Sequence, residues 1–209
     1  MIKKIKKLFV EKKIDGYVVP KNDEFFSEYA YPDRLKTITN FSGSYGLAIL
    51  LSDENYLFVD GRYTIQAKKQ AGNLFKIYQM PNTTPKAILS KIDKNLNLGF
   101  DPKLFTNDSL KRIISPNHKL VPIQENLVDK ICTIQKLKKT KYFYTLNNKI
   151  AGESSFSKIN RLIKLLKKRK IDNLFISAPE NIAWLLNLRG WDNPFSPIPN
   201  CKIILTANK

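Results

Sequence analysis

The chain has 209 residues, of which 43% are hydrophobic and 26% are charged. This composition is ordinary for a globular protein and excludes a wholly disordered chain. The longest apolar run, Tyr45–Leu51, has seven residues, whereas a transmembrane helix needs about twenty, so the sequence predicts no membrane span. The two cysteines, Cys132 and Cys201, are too few for a disulfide framework, which indicates a reduced, cytoplasmic location.

The net charge of +18 suggests a nucleic-acid-binding protein, but the residue types weaken that hypothesis. There are 30 lysines and only 6 arginines, and arginine is the side chain that binds phosphates and base edges bidentately. The lysines are also scattered along the chain, with the densest run at residues 164–170. We interpret most of this charge as solvated surface and keep nucleic-acid binding as an alternative.

The first elements in chain order alternate between helix and strand. An amphipathic helix over residues 2–13 precedes a short buried strand at Ile14–Pro20, and a short aromatic helix is predicted over Asp23–Tyr29. The apolar runs Tyr45–Leu51 and Tyr56–Asp60 flank a polar turn and predict a hairpin. A helix over Gly61–Ala71 follows, with Asp60 as its N-cap.

The same alternation continues to residue 122. Strands are predicted at Leu74–Tyr78, Leu96–Phe100 and Lys119–Pro122, and helices at Pro85–Lys94, behind Thr83 or Thr84, and at Asn107–Ile114. Such alternation predicts an α/β fold in which helices cover a mixed sheet. Residues 123–150 are rich in lysine and show no clear strand pattern, which indicates a connection.

A second helix–strand unit resembles the first. The helix that carries Ile159, Leu162, Ile163 and Leu166 leads to a strand at Ile171–Ser177 and then to a short helix at Pro179–Leu186. We therefore predict two related α/β domains, at 1–132 and 156–209, joined by a linker at 133–155. The last predicted strand, Ile203–Thr206, has no following partner, so we expect the second domain to be truncated.

Several short motifs fail as active sites. Ser42–Gly46 lacks the ending of a phosphate-binding loop and is interpreted as a tight turn. The Ser155 and Lys158 pair lacks the companion motifs of a serine hydrolase and lies on a helix that we expect at the surface. His118, the single histidine, is also predicted to be exposed, and Trp184 is predicted to be a core residue.

At a larger scale, six segments in a fixed order form a recognisable signature. They are residues 22–29 (NDEFFSEY), 34–35 (RL), 39–46 (TNFSGSYG), 59–67 (VDGRYTIQA), 125–131 (ENLVDKI) and 179–190 (PENIAWLLNLRG). Together they resemble the N-terminal domain and part of the second domain of Xaa-Pro aminopeptidases, in the creatinase/prolidase superfamily. The chain departs from the family pattern where Phe25, Asn40 and Cys132 replace the usual His, Gly and Trp.

The resemblance implies a fold and a function. The fold would consist of two creatinase N-terminal-like domains, and the chain would be the non-catalytic front portion of an enzyme that cleaves before a proline at position two. Two divalent metal ions, manganese in many members, would bind in a C-terminal catalytic domain, so that this chain holds no cofactor and no catalytic residue. The expected partners are the peptide substrate and a second subunit of a homodimer, without a membrane.

The same resemblance implies candidate site residues. Arg62 of the Asp60-Gly61-Arg62-Tyr63 motif would contact the bound peptide, and an ion pair with Asp60 is the alternative role. Tyr63, Arg189 and Trp191 are candidates for an interface or for the rim of the site, and packing between domains is the alternative for Arg189 and Trp191. A free-standing interaction module with the same fold remains the second hypothesis for the whole chain.

Overall fold

The computed structural model describes residues 1–27, 30–132 and 143–207. The chain divides into two compact units, Met1–Gln135 (unit 1) and Lys136–Lys209 (unit 2). No helix in these ranges is both long and apolar enough to cross a bilayer.

Unit 1 alternates strands and helices. Its described strands are β1 (Gly16–Pro20), β2 (Gly46–Leu51), β3 (Asn55–Asp60), β4 (Lys76–Met80), β5 (Asn97–Phe100) and β6 (Lys119–Pro122). Its described helices are α1 (Ile2–Lys12), α2 (Arg34–Thr39), α3 (Thr64–Ala71), α4 (Pro85–Leu89), α5 (Asn107–Ile113) and α6 (Leu127–Ile131). The alternation predicted from the sequence is therefore confirmed.

The strands of unit 1 form one mixed sheet in the order β4-β3-β2-β1-β5-β6. The strand β2 is antiparallel to both β1 and β3, whereas the remaining neighbours are parallel. The predicted hairpin is thus confirmed as β2 and β3. The strands β2, β3 and β4 follow one another on one side of β1. The chain then crosses to the other side of β1, where β5 pairs with β1 and β6 pairs with β5.

Helices cover both faces of this sheet. Along β1, Tyr17 and Val19 pack in one apolar cluster with Ile5 of α1, whereas Val18 packs in a second cluster with Leu89 of α4. Successive side chains of a strand point to opposite faces, so a strand buried on both sides must be continuously apolar. That requirement explains the uninterrupted apolar runs in the sequence.

The predicted helix over Asp23–Tyr29 is wrong for the residues that the structure describes, and Glu28 and Tyr29 lie outside them. Residues 23–27 form turns instead, because the Asp23 carboxylate accepts hydrogen bonds from the backbone N–H groups of Phe25 and Ser27. This local capping competes with helical hydrogen bonding. The helix α2 begins only at Arg34, where Asp33 caps it by accepting from Lys36 N.

His118 is buried, at 7% exposure, which corrects the prediction of a surface residue. Its Nδ1 accepts a hydrogen bond from Leu96 N at 3.2 Å, and its Nε2 donates to Leu89 O at 3.0 Å. Both ring nitrogens are therefore satisfied by the backbone, and the imidazole links the start of β5 to the end of α4. Its role is structural.

Unit 2 contains four strands and three helices among its described residues. The strands are β7 (Phe143–Thr145), β8 (Asn173–Ile176), β9 (Leu188–Gly190) and β10 (Ile203–Thr206), and the helices are α7 (Asn148–Ala151), α8 (Ser155–Lys168) and α9 (Pro179–Leu185). The strand β10 pairs antiparallel with β8, as β2 does with β1, and α8 precedes β8 as α1 precedes β1. The predicted helix–strand repeat is confirmed.

The predicted linker requires a correction. Phe143–Thr145 forms a strand that pairs antiparallel with Leu188–Gly190, and Asn148–Ala151 is helical, so residues 143–155 belong to the folded part of unit 2. Cross-strand pairing with residues some 45 positions away supplied the order that the local sequence pattern did not show. Residues 133–142 of the predicted linker lie outside the described residues.

The predictions for Lys158 and Trp184 were both wrong: Lys158, predicted at the surface, is buried, and Trp184, predicted in the core, is exposed. Lys158 is 3% exposed, because its ammonium donates to Trp184 O at 2.8 Å and to Asn187 Oδ1 at 2.7 Å. Trp184 is 55% exposed, and its ring lies 4.4 Å from the Lys158 Nζ. The lysine therefore satisfies the end of α9, and the indole shields that lysine from solvent instead of filling the core.

Candidate functional site

The Asp60–Tyr63 segment lies at the carboxyl end of β3, the edge where α/β folds place ligand-binding groups. Asp60 is the last residue of the strand, and its carboxylate accepts a hydrogen bond from Arg62 N at 2.9 Å. This cap begins a 3₁₀ turn at Gly61–Tyr63 that continues into α3. The predicted N-cap is confirmed, and it determines where the Arg62 side chain leaves the backbone.

The Arg62 guanidinium pairs with the Asp60 carboxylate. Its Nε lies 3.0 Å from Oδ2 and 3.2 Å from Oδ1, and Nη2 also donates to Oδ2. The hydrogen bonds from Arg62 hold the pKa of Asp60 below its usual value, so that the carboxylate stays ionised. The Arg62 side chain nevertheless remains 71% exposed, which leaves the guanidinium accessible from solvent.

The aromatic ring of Tyr63 packs against the Arg62 guanidinium. The guanidinium carbon lies 5.2 Å from the centre of the Tyr63 ring, a cation–π distance. The ring packs edge-on against buried Phe41 at 5.8 Å, and its hydroxyl hydrogen-bonds to Ser44 Oγ at 2.8 Å. Because both ends of Tyr63 are held, the carboxylate of Asp60 and the ring of Tyr63 orient Arg62 together.

A second polar cluster joins three signature segments of unit 1. Arg34 is 5% exposed, and its Nε and Nη2 donate to the two carboxylate oxygens of Asp129, each at 2.8 Å, while Nη2 also donates to Glu24 Oε1 at 2.7 Å. Burial lowers the pKa of Arg34, but the hydrogen bonds to Asp129 and Glu24 outweigh it, so the guanidinium stays charged. This network was missed from the sequence, because Arg34 and Asp129 are 95 residues apart.

Arg189 and Trp191 lie in unit 2, on β9 and just after it. Arg189 Nη1 donates to its neighbour Leu188 O at 2.8 Å and to Ala183 O at 3.3 Å, which fastens β9 to the end of α9. The Trp191 ring is tilted against the Tyr144 ring at 6.0 Å, and 51% of the residue is exposed. Within unit 2 these side chains order the start of the loop after β9, and their predicted interface role stays a prediction.

The described residues contain no group of three or more His, Cys, Asp or Glu side chains placed to hold a metal ion. The single histidine has both nitrogens engaged by the backbone. Two-metal hydrolytic sites need several convergent carboxylate and imidazole ligands. The described residues therefore do not fit such a centre, and the chemistry that the site offers is recognition by an exposed, oriented guanidinium.

Comparisons with known proteins show which family this chain resembles. Family profiles described as the creatinase/prolidase N-terminal domain match residues 1–131 and, separately, residues 134–209. A probable Xaa-Pro aminopeptidase P from Laccaria bicolor is 32% identical over 99% of this chain and 34% of its own length. Xaa-Pro aminopeptidase 1 of Dictyostelium discoideum is 31% identical over 94% of this chain and 34% of its own length.

A solved structure is similar over the whole chain. It is an X-prolyl aminopeptidase from Caenorhabditis elegans, described as a cytosolic enzyme with a di-nuclear active site, which superposes with a TM-score of 0.89 at 28% identity. The match covers 100% of this chain and 37% of that one. The chain thus spans about one third of the length of the relatives that it matches.

Proposed function

Because the chain belongs to the creatinase/prolidase N-terminal domain family, we propose that it is the non-catalytic front portion of a metal-dependent Xaa-Pro aminopeptidase. Such an enzyme removes the N-terminal residue that precedes a proline. The observation that carries the proposal is the pair of consecutive family matches, which together extend over residues 1–131 and 134–209. Relatives named Xaa-Pro aminopeptidase match the same span over about one third of their length.

The metal ions of the proposed enzyme, with manganese as the expected identity, would belong to a part of the protein other than the residues described above. Those residues do not provide a convergent ligand set. Unit 1 and unit 2 would instead shape the entrance to the catalytic site and contribute to a homodimer interface in a cytoplasmic enzyme. Tyr63, Arg189 and Trp191 are the proposed rim or interface residues.

Arg62 is the proposed contact to the peptide. Its guanidinium is exposed at the sheet edge, and Asp60 and Tyr63 determine its direction. A guanidinium can donate two parallel hydrogen bonds to a carboxylate or bond to a peptide carbonyl. The ion pair with Asp60 supports this function instead of opposing it, because a pre-oriented side chain loses less conformational freedom when the peptide binds.

The test compares this chain with the full product of the gene that encodes it. Hydrolysis of Arg-Pro-Pro and bound manganese are measured on both purified proteins, before and after a chelator. We expect turnover and tightly bound metal only in a longer product that carries the ligand residues, with the turnover lost to the chelator. Chelator-sensitive turnover by the 209-residue chain would overturn the proposal, and a longer product without metal and turnover would favour an interaction module.

A further inference from the structure

A cavity of about 760 Å³ lies in unit 1 at the carboxyl ends of β1 and β5. The chain extends the sheet in one direction from β1 and in the other from β5, so the cavity lies at the point where the strand order reverses. Such switch points are where open α/β sheets bind ligands. We call this cavity, with its apolar lining of Leu47, Met80, Leu104, Phe105 and Ile113, the switch-point pocket.

A hydrogen bond across the switch-point pocket connects the segment after β1 with the segment after β5. Asn22 follows β1, and its Nδ2 donates to Leu104 O at 2.8 Å, on the segment that follows β5. Lys21, another lining residue, is paired with Asp33. The bond from Asn22 to Leu104 joins the segments that follow β1 and β5 and holds them at a fixed separation across the pocket.

Two aromatic residues stand at the pocket with about half of their surface exposed, Phe26 at 51% and Tyr45 at 52%. Phe26 has φ 58°, a left-handed conformation that is costly for a bulky residue. It is held there because Asp23, 2% exposed, accepts from the N–H groups on either side of Phe26, while Phe26 N donates to Asp23 O. The fold thus maintains local strain that presents an apolar ring at the pocket.

Besides Lys21, which is paired with Asp33, the charged lining consists of Asp108 and Arg112, one helical turn apart on α5. Within the described residues, neither side chain makes an ion pair or a side-chain hydrogen bond, even though the spacing would allow the two to pair. An anionic and a cationic group therefore lie along one side of an apolar cavity. A ligand that carries an ammonium group, a carboxylate group and apolar side chains would complement these two charges and the apolar lining.

We propose that the switch-point pocket binds a zwitterionic amino acid or short peptide with apolar side chains. Arg112 pairs with its carboxylate, Asp108 pairs with its ammonium, and Phe26, Tyr45 and the apolar lining contact its side chains. The volume lies within the usual range of about 300–1,000 Å³ for small-molecule sites. The inference goes beyond the proposed peptidase function, because it requires no residue of the Asp60–Tyr63 segment.

Calorimetric titration of the purified chain with the dipeptide Phe-Leu tests the proposal. The same dipeptide with an acetylated amine and an amidated carboxyl group is the comparison ligand. We expect the free dipeptide to bind at least about tenfold more tightly than the blocked one, the size typical of a charged hydrogen bond. Equal affinities, or no binding of the free dipeptide at millimolar concentration, would overturn the proposal.

Single substitutions assign the two charges. Arg112→Gln is expected to weaken binding of the free dipeptide about tenfold and to leave binding of the carboxyl-amidated dipeptide unchanged. Asp108→Asn is likewise expected to weaken binding of the free dipeptide about tenfold and to leave binding of the N-acetylated dipeptide unchanged. Lys111→Gln is the matched control, because it removes one positive charge from the same helix at an exposed position that does not line the pocket. If Lys111→Gln weakens binding as much as Arg112→Gln, net charge explains the effect and the site assignment is wrong.

Discussion

Phe175 and Ile204 lie directly opposite each other on β8 and β10, and their side chains are 59% and 69% exposed. In unit 1, Val18 and Ile49 are opposite each other on the equivalent antiparallel strands and are 1% and 0% exposed. The two pairs differ in exposure because, among the described residues, helices cover this face of the sheet in unit 1 only. In unit 1 this face packs against Leu89 of α4 and Leu110 of α5, whereas the described part of unit 2 leaves the corresponding face open.

We expect the open sheet face of unit 2 to drive self-association of the chain. Apolar sheet surface without cover is prone to contact another molecule. Changing Phe175→Thr and Ile204→Thr together keeps residues that favour strands and should shift sedimentation velocity profiles toward monomer at a given concentration. The matched control, Val18→Thr in unit 1, should instead lower the free energy of unfolding by about 1–3 kcal/mol through a buried hydroxyl. Unchanged association of the double variant would contradict this interpretation.

Hydrogen exchange should be slower in unit 1 than in unit 2. The described strands of unit 1 belong to one sheet covered on both faces, whereas those of unit 2 form two pairs. Amide protons open to solvent most readily where few apolar contacts hold the strands. We expect strong protection across residues 14–122 and weak protection in the described part of 156–209. Equal protection in both would show that unit 2 is as stable as unit 1.

Arg62→Ala should lower kcat/KM for Xaa-Pro peptides in a full-length enzyme that carries this sequence. A charged hydrogen bond to the peptide contributes about 1.5–3 kcal/mol, which corresponds to a decrease of roughly 10- to 100-fold. Metal content should not change. Arg62→Lys should restore only part of the activity, because an ammonium lacks the planar fork that bonds bidentately.

Asp60→Asn separates the substrate role of Arg62 from its ion pair. Asparagine still caps the turn after β3, but it removes the charge that pairs with Arg62. If Arg62 contacts the peptide, Asp60→Asn should retain most of the kcat/KM that Arg62→Ala loses. If the ion pair alone matters, both variants should show the same lower melting temperature, with normal kcat/KM in the folded enzyme.

The Glu24–Arg34 contact should make the stability of unit 1 depend on pH. Partial burial acts in the opposite direction, but the hydrogen bond and charge of Arg34 hold the pKa of Glu24 below its usual value. A carboxyl group whose pKa is lower in the folded state stabilises the fold above its unfolded pKa, and this contribution disappears as the pH falls through the folded pKa. Urea unfolding should therefore show wild type more stable than Glu24→Gln at pH 7, with the gap closing below about pH 4. A gap that is the same at every pH would contradict the assignment.

Lys158→Met should destabilise unit 2. The substitution leaves Trp184 O and the buried Asn187 Oδ1 without the ammonium that now donates to both. Loss of hydrogen bonds to a charged donor should cost about 1–3 kcal/mol in the free energy of unfolding, followed by tryptophan fluorescence in urea. Lys164→Met on the exposed side of α8 is the control and should change stability little. If both variants unfold at the same urea concentration, Lys158 is not a structural residue.

The order of helices and strands was predictable from the sequence, because it depends on neighbouring residues. Apolar periodicity predicted β1, the β2–β3 hairpin and the second helix–strand unit, and Asp60 was recognisable as a cap from its position. For α4 the sequence left Thr83 and Thr84 as alternatives, and the structure shows that Thr84 is the cap. The signature segments identified the family, since their order along the chain is itself a sequence property.

A residue's environment was predictable only where the local pattern determined it. The spacing of Lys158, Leu162 and Leu166 placed the lysine on the apolar face of α8, so a signal for its burial was present and was missed. His118 carried no comparable signal, because its partners are the backbone of Leu96 and Leu89, 22 and 29 residues away. Phe143–Thr145 likewise became a strand only because Leu188–Gly190 pairs with it.

Sequence alone determined most strands and helices, the Asp60 cap and the family of this protein, because each of these depends on residues that are close in the chain or on their order. The tertiary structure alone decided which polar groups are buried and which charges meet. Glu24, Arg34 and Asp129 form one network because α2, α6 and the segment after β1 pack together. A buried charge is stable only where distant segments supply its hydrogen-bond partners, and no local pattern specifies which segments these are.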